Sequence, residues 1–208
     1  MDHPRSGPLP TQKDVSERRR NDMTMTNGER EFDFTLSLVG ASELTDDLAN
    51  RLYESGCDDA TIASRAGRLF ASFSRRAASL KDAVLSAIAD VRKSGTGADV
   101  LRVDDCNLVT QADIARKIGK SRQLVYQYMT GARGPGAFPP PVCAIQDDQQ
   151  LWDWCEVARW LWQNNMVKQD VLQEAREVEA INSVLGLEHN KREWPELIKE
   201  VQQSVVLP

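Results

Sequence analysis

Histidine is almost missing from this chain: its 208 residues hold two, His3 and His189. Neither lies between residues 31 and 105, so no Ser/His/Asp set can assemble there. The four cysteines, Cys57, Cys106, Cys143 and Cys155, include no pair at C-x₂₋₄-C spacing, which leaves a zinc site without its usual ligand pairs. They are expected to be reduced, mostly buried thiols. No apolar run approaches the roughly 20 residues that span a bilayer, and the N-terminus has no apolar h-region. A Gly-rich phosphate loop is also missing from the first half of the chain. These absences predict a cytoplasmic protein that works away from membranes, needs no cofactor and is not an enzyme.

The composition that remains, 41% hydrophobic and 27% charged, fits a globular protein of one large or two small domains. The formal net charge of −5 would by itself argue against nucleic acid, but the charge is unevenly spread. Between Thr110 and Val142 the bases Arg116, Lys117, Lys120, Arg122 and Arg133 face one acid, Asp113, a net of +4. From Cys143 to Pro208 there are 6 bases and 12 acids, a net of −6. A basic island in an acidic chain suits a reader of DNA better than the total implies.

Residues 1–30 are rich in Pro, Gly, Ser, Thr and charge, and are expected to be disordered. The cluster Arg18-Arg19-Arg20 could touch phosphate, but Asp14, Glu17 and Asp22 dilute it, and Met23 or Met25 could be the true start. In residues 31–105, FDFTLSLV alternates as a half-buried strand, with Phe32, Phe34, Leu36 and Leu38 on one face. Ser42 is expected to cap a helix with the stripe Leu44, Leu48 and Leu52, ended by Gly56. ATIAS and RLFASFS around Arg65-Ala66-Gly67 read as a hairpin. Ser79 and Asp82 form a capping box for a helix burying Ala83, Val84, Ala87, Ile88 and Val91, and DVLRV closes the set. The order β-α-β-β-α-β predicts an α+β, ferredoxin-like sandwich. Its role would be to bind a partner protein or a small ligand. Asp46-Asp47 and Asp58-Asp59 are expected to be solvated surface.

Residues 106–165 carry the strongest signal. Thr110 and Asp113 form T-x-x-D, Ile114, Ala115 and Ile118 give an inner face, Gly119 supplies a sharp turn, and Ser121 caps a second helix. Leu124, Val125, Tyr128 and Met129 form that helix's buried stripe. The spacing Ala115-x₃-Gly119-x₅-Val125 is that of a helix-turn-helix. Its outer face offers Arg122, Gln123, Tyr126 and Gln127 to base edges, where Arg reads guanine and Gln reads adenine. Lys120, Ser121, Thr130 and Arg133 are expected to hold phosphate. A strand after Phe138-Pro139-Pro140-Pro141-Val142, a turn at Asp147-Asp148 and a second strand ending near Trp152 would make a wing. Trp152, Trp154, Trp160 and Trp162 are expected to pack rather than to form a stacking platform for single strands.

The elements T-x-x-x-IA-x-x-x-G-x-S-x-x-x-VY, FP-x-PV and W-x-x-x-EVA-x-WL, within residues 110–162, resemble the winged helix-turn-helix of the MerR and AlpA/excisionase superfamily. The resemblance implies double-stranded DNA as the partner, with the second helix in the major groove and the wing beside it. Asp147-Asp148 departs from that family's often basic or glycine-containing wing tip, and phosphate would repel it. In residues 166–208, Val171, Ala175, Val178, Ile181 and Leu185 form a stripe ended by Gly186, read as a homodimer interface or as packing on the chain itself. The expected function is a sequence-specific, dimeric transcriptional regulator, such as an antitoxin that represses its own operon. The alternatives are an excisionase-like DNA-bending factor or an interaction module that has lost DNA binding.

Overall fold

The computed structural model describes residues 28–103, 107–143 and 150–205. Arg18-Arg19-Arg20, Met23, Met25, Cys106 and Asp147-Asp148 lie outside the described residues, as does most of the N-terminal segment. Among the described residues the fold is mixed α+β, with a four-stranded antiparallel sheet and seven helices. In chain order the elements of the first half are β1 (Arg30–Val39), α1 (Asp46–Glu54), β2 (Ala60–Arg65), β3 (Arg68–Ala77), α2 (Leu80–Lys93) and β4 (Asp99–Val103). Then come β5 (Leu108–Val109), α3 (Gln111–Lys117), α4 (Arg122–Met129), β6 (Trp152–Asp153), α5 (Trp154–Gln163), α6 (Gln169–Glu193) and α7 (Pro195–Val205). No helix among the described residues is long and apolar enough to cross a membrane.

The sheet order is β2-β3-β1-β4. Period-two alternation sets the register: Phe34 pairs with Phe73, Leu36 with Ala71 and Leu38 with Leu69, so one apolar face forms across two strands. The rings of Phe34 and Phe73 stack at 5.2 Å. The β2–β3 hairpin turns on Ala66 and Gly67, both at positive φ, which matches the right-handed twist of the strands it joins. Helix α2 buries Ala83, Val84, Ala87, Ile88 and Val91 against this face, the five residues its sequence period selects.

Helix α1 starts later than expected. Thr45, not Ser42, is its N-cap, with the hydroxyl accepting from the Leu48 amide at 3.2 Å. Leu44 therefore precedes the helix and is 43% exposed, while Leu48 and Leu52 are buried. Asp59 is not the solvated carboxylate expected. It takes two hydrogen bonds from Arg75, at 2.8 and 2.9 Å. Arg75 is buried, continuing the inward row Leu69, Ala71, Phe73 of β3. Its other guanidinium donors reach Asp90 at 2.8 Å, Ser86 at 3.0 Å and the Gly56 carbonyl at 2.6 Å, so all five N–H groups are satisfied.

The buried residues form two clusters. One lies between the sheet and α1 and α2; the other is built by β5, α3, α4, β6 and α5. Helix α6 belongs to both, placing Leu172 and Ala175 in the second and Val178 and Leu185 in the first. Its stripe is thus consumed inside the chain, and Leu172 rather than Val171 is the fully buried member. Gly186 does not end α6, which runs 25 residues to Glu193. A lone helical glycine costs only about 1 kcal/mol relative to alanine, less than the packing of Leu185 beside it contributes. Asn182 of α6 also joins the end of β4, accepting from the Val103 amide at 2.8 Å and donating to its carbonyl at 3.2 Å. Arg192 reaches Asp99 at 2.6 Å. The last helix, α7, has no buried residue.

Candidate nucleic-acid interface

Two short helices and the turn between them build the candidate interface. At the start of α3 the Thr110 hydroxyl accepts from the Asp113 amide at 3.2 Å, and the Thr110 amide donates to the Asp113 carboxylate at 3.0 Å, closing a capping box. The Thr110 hydroxyl, then the Thr110 amide, hold the Asp113 carboxyl below its ordinary range. Gly119 sits at φ +62°, and the Lys120 amide returns to the Ala115 carbonyl at 2.9 Å, so the chain reverses within three residues. Ser121 then caps α4, its hydroxyl accepting from the Leu124 amide at 3.2 Å. The inner faces meet through fully buried Ile114 and Val125. A side-chain bond from Gln111 to the Arg122 carbonyl at 2.8 Å ties the two N-terminal ends together.

A Gly/Pro loop follows α4 and is pinned from beneath by two indoles. Trp160 donates to the Gly136 carbonyl at 2.9 Å and Trp152 to the Pro139 carbonyl at 3.1 Å. Gly134, at φ +88°, passes so close to Tyr128 that an added Cβ would stand 3.0 Å from the ring. Trp152, Trp154 and Trp160 are buried, so packing is their role and no stacking platform forms from them; Trp162 is 39% exposed. Phe138 to Pro141 make no strand, because proline has no N–H to give to a ladder. The expected first wing strand after Val142 lies, beyond Cys143, outside the described residues, and Cys143 itself forms an antiparallel bridge with Leu151. The second, at Trp152–Asp153, pairs with β5 ahead of α3.

Lys120, Ser121, Arg122, Gln123, Tyr126, Thr130 and Arg133 are exposed, and Gln127 is half-buried. Arg122, Tyr126 and Thr130, four residues apart along α4, stand together on one wall of a groove of about 770 Å³. Thr110, Gln111 and Ala112 of the α3 start and Phe138 to Pro141 form its other sides. Sequence reasoning missed these further lining residues, although T-x-x-D and the proline run marked their positions. Lys120 and Arg133 bracket α4 at its two ends, and Gln123 and Gln127 lie on the adjacent row. Ser121 and Thr130 are partly committed to the backbone, the latter donating to the Tyr126 carbonyl at 3.0 Å.

The electrostatics are one-sided. Among the described residues no carboxylate lines the groove. Arg116 pairs with Asp113 at 2.6 Å, and the Lys117 ammonium lies 5.1 Å from the Trp154 ring centroid. Lys120, Arg122 and Arg133 have no acidic partner among the described residues. Burial pushes the Cys155 thiol beneath the unit up to about 12, with Glu179 adding to the effect, so this cysteine stays protonated. No cluster of three metal-binding side chains occurs among the described residues. No protein-family model, curated protein sequence or solved structure matches the chain.

Proposed function

We propose that β5, α3, α4, the Gly/Pro loop, β6 and α5 form a winged helix-turn-helix, and that the protein is a sequence-specific, double-stranded DNA-binding transcriptional regulator. In this reading α4 is the recognition helix. Arg122, Gln123, Tyr126 and Gln127 reach base edges, and Lys120, Ser121, Thr130 and Arg133 approach phosphates. The observation that carries it is the set of exposed cations at both ends of α4, unpaired with any acid among the described residues, around a groove that no carboxylate of those residues lines. A helix pair that served only packing would gain from neutralising such charges within the chain. One unit reads only a few base pairs, so the regulator is proposed to act as a dimer. The order β2-β3-β1-β4, with two helices packed on one face, is read as a ferredoxin-like sandwich that receives a partner protein or small ligand.

The test replaces Arg122 and Gln127 by alanine, singly and together, and measures binding to DNA from the protein's own promoter. Each change is expected to weaken specific binding by about tenfold or more and to relax discrimination among sequences. Wild-type affinity should also fall steeply with salt as phosphate contacts displace counterions. Unchanged affinity in the double variant, or a flat salt response, would sink the assignment.

A further inference from the structure

The helix α7 is amphipathic, and none of its described residues is fully buried. Trp194, just ahead of it, is 56% exposed, and Leu197, Val201 and Val205 are 53%, 45% and 72% exposed, with Ile198 half-buried between them. A helix of 11 residues is shorter than the roughly 12–15 at which isolated helices become even marginal in water. Among the described residues its support is the junction with α6, where the Trp194 amide donates to the Asn190 carbonyl at 2.8 Å and the Ile198 amide to the Trp194 carbonyl at 3.0 Å, and the apolar stripe is left uncovered. The charged residues Glu196, Lys199 and Glu200 lie about 120° or more around the helix from the centre of the apolar stripe. With two acids and one base, α7 also lacks the cationic flank that anchors amphipathic helices to anionic lipid.

The stripe has a symmetry of its own. Trp194, Ile198, Val201 and Val205 are separated by steps of 4, 3 and 4, a spacing that reads the same in both directions about a midpoint between Lys199 and Glu200. Antiparallel pairing of two such helices about a two-fold axis sets Trp194 against Val205 and Ile198 against Val201, a large side chain against a smaller one in each layer. No charge enters the seam. We propose that α7 pairs antiparallel with α7 of a second copy of this chain and is the homodimer interface. This deepens the dimer of the preceding section, but association itself does not depend on DNA. The four seam side chains, three exposed and Ile198 half-buried, at about 100 Å² each on average place roughly 800 Å² in the pair, below the roughly 1,200 Å² at which stable specific interfaces begin, so the dimer should be weak and concentration-dependent.

The experiment is sedimentation equilibrium of the full chain, without DNA, from about 1 to 200 μM. Wild type is expected to pass from monomer to dimer across this range. Val201→Glu places a carboxylate in the seam twice per dimer and should raise the dissociation constant by about tenfold or more. Gln203→Glu, on the opposite face, should leave it unchanged. The circular dichroism of both variants should keep the wild-type sheet and helix signals, because neither side chain is buried. A wild type that stays monomeric throughout, a Val201→Glu variant that dimerises as well as wild type, or a Gln203→Glu variant that dissociates equally would each overturn the proposal. Arg122→Ala should dimerise normally, so failure of the DNA reading and failure of this interface are separable.

Discussion

Arg75 and Arg122 are the same residue put to opposite uses. Arg75 sits in the sheet half at 8% exposure, with five hydrogen-bond donors all spent on Asp59, Asp90, Ser86 and Gly56. The hydrogen bond to Asp59, above all, raises its pKa beyond the ordinary arginine value despite its burial. Arg122 stands at the first turn of α4, exposed, with no acidic partner among the described residues. The sheet half therefore uses charge to hold its own loops and helix in place. The two-helix half leaves Lys120, Arg122 and Arg133 without an acidic partner among the described residues. This difference between satisfied and unsatisfied cations separates scaffold from candidate site more clearly than total charge, which is acidic for the whole chain.

The contrast is sharpened most by removing Arg75. Arg75→Ala leaves Asp59 and Asp90 without their cation in a largely buried setting, and should cost about 3–5 kcal/mol of stability, read as a shift in the urea unfolding midpoint. A loss below about 1 kcal/mol would show that water replaces the guanidinium and that the network is not structural. Gly134→Ala should come next, at about 1–3 kcal/mol, because positive φ and the Tyr128 ring both oppose a Cβ. It should also move the loop that carries Arg133 and so weaken the proposed DNA binding, which Arg75→Ala should not do at temperatures where the variant is folded. The smallest effect is acid dependence at the start of α3. Asp113 has a folded-state pKa below its unfolded value, so its contribution is complete above roughly pH 4 and is lost as pH falls through the folded value. Amide exchange at Thr110 should accelerate over that window in wild type and show no such step in Asp113→Asn. A step centred at the ordinary carboxylate value would remove the capping box from the account.

Much of the sheet half could be read in advance because its signals are local and period-bound. The five buried residues of α2, the turn at Ala66-Gly67 and the Ser79 cap of α2, whose expected box with Asp82 forms only on the Ser79 side, each need only neighbours in sequence, as does the full Thr110/Asp113 box in the other half. Period two also pointed inward at Arg75, one step beyond Phe73, but a charge on an apolar row was not followed to the Asp59 and Asp90 that receive it. What escaped was long-range. Nothing near Val178 and Leu185 in sequence says that the sheet, rather than a second chain, covers them. Nothing near Trp152–Asp153 says that its partner is Leu108–Val109 rather than a wing strand alone. The candidate site was legible as a helix face, through Arg122, Tyr126 and Thr130. It was not legible as a groove, because its other walls come from the α3 start and a proline run folded back on two indoles.

Helix α6 bears on whether the parts are portable. It gives Leu172 and Ala175 to one cluster and Val178 and Leu185 to the other, and Asn182 holds the end of β4. Residues 107–165 cut out alone would lose a wall of their own core, and residues 28–103 would lose theirs. The two halves are thus not beads on a string that can be swapped between proteins: a graft of either one has to carry this shared rod with it.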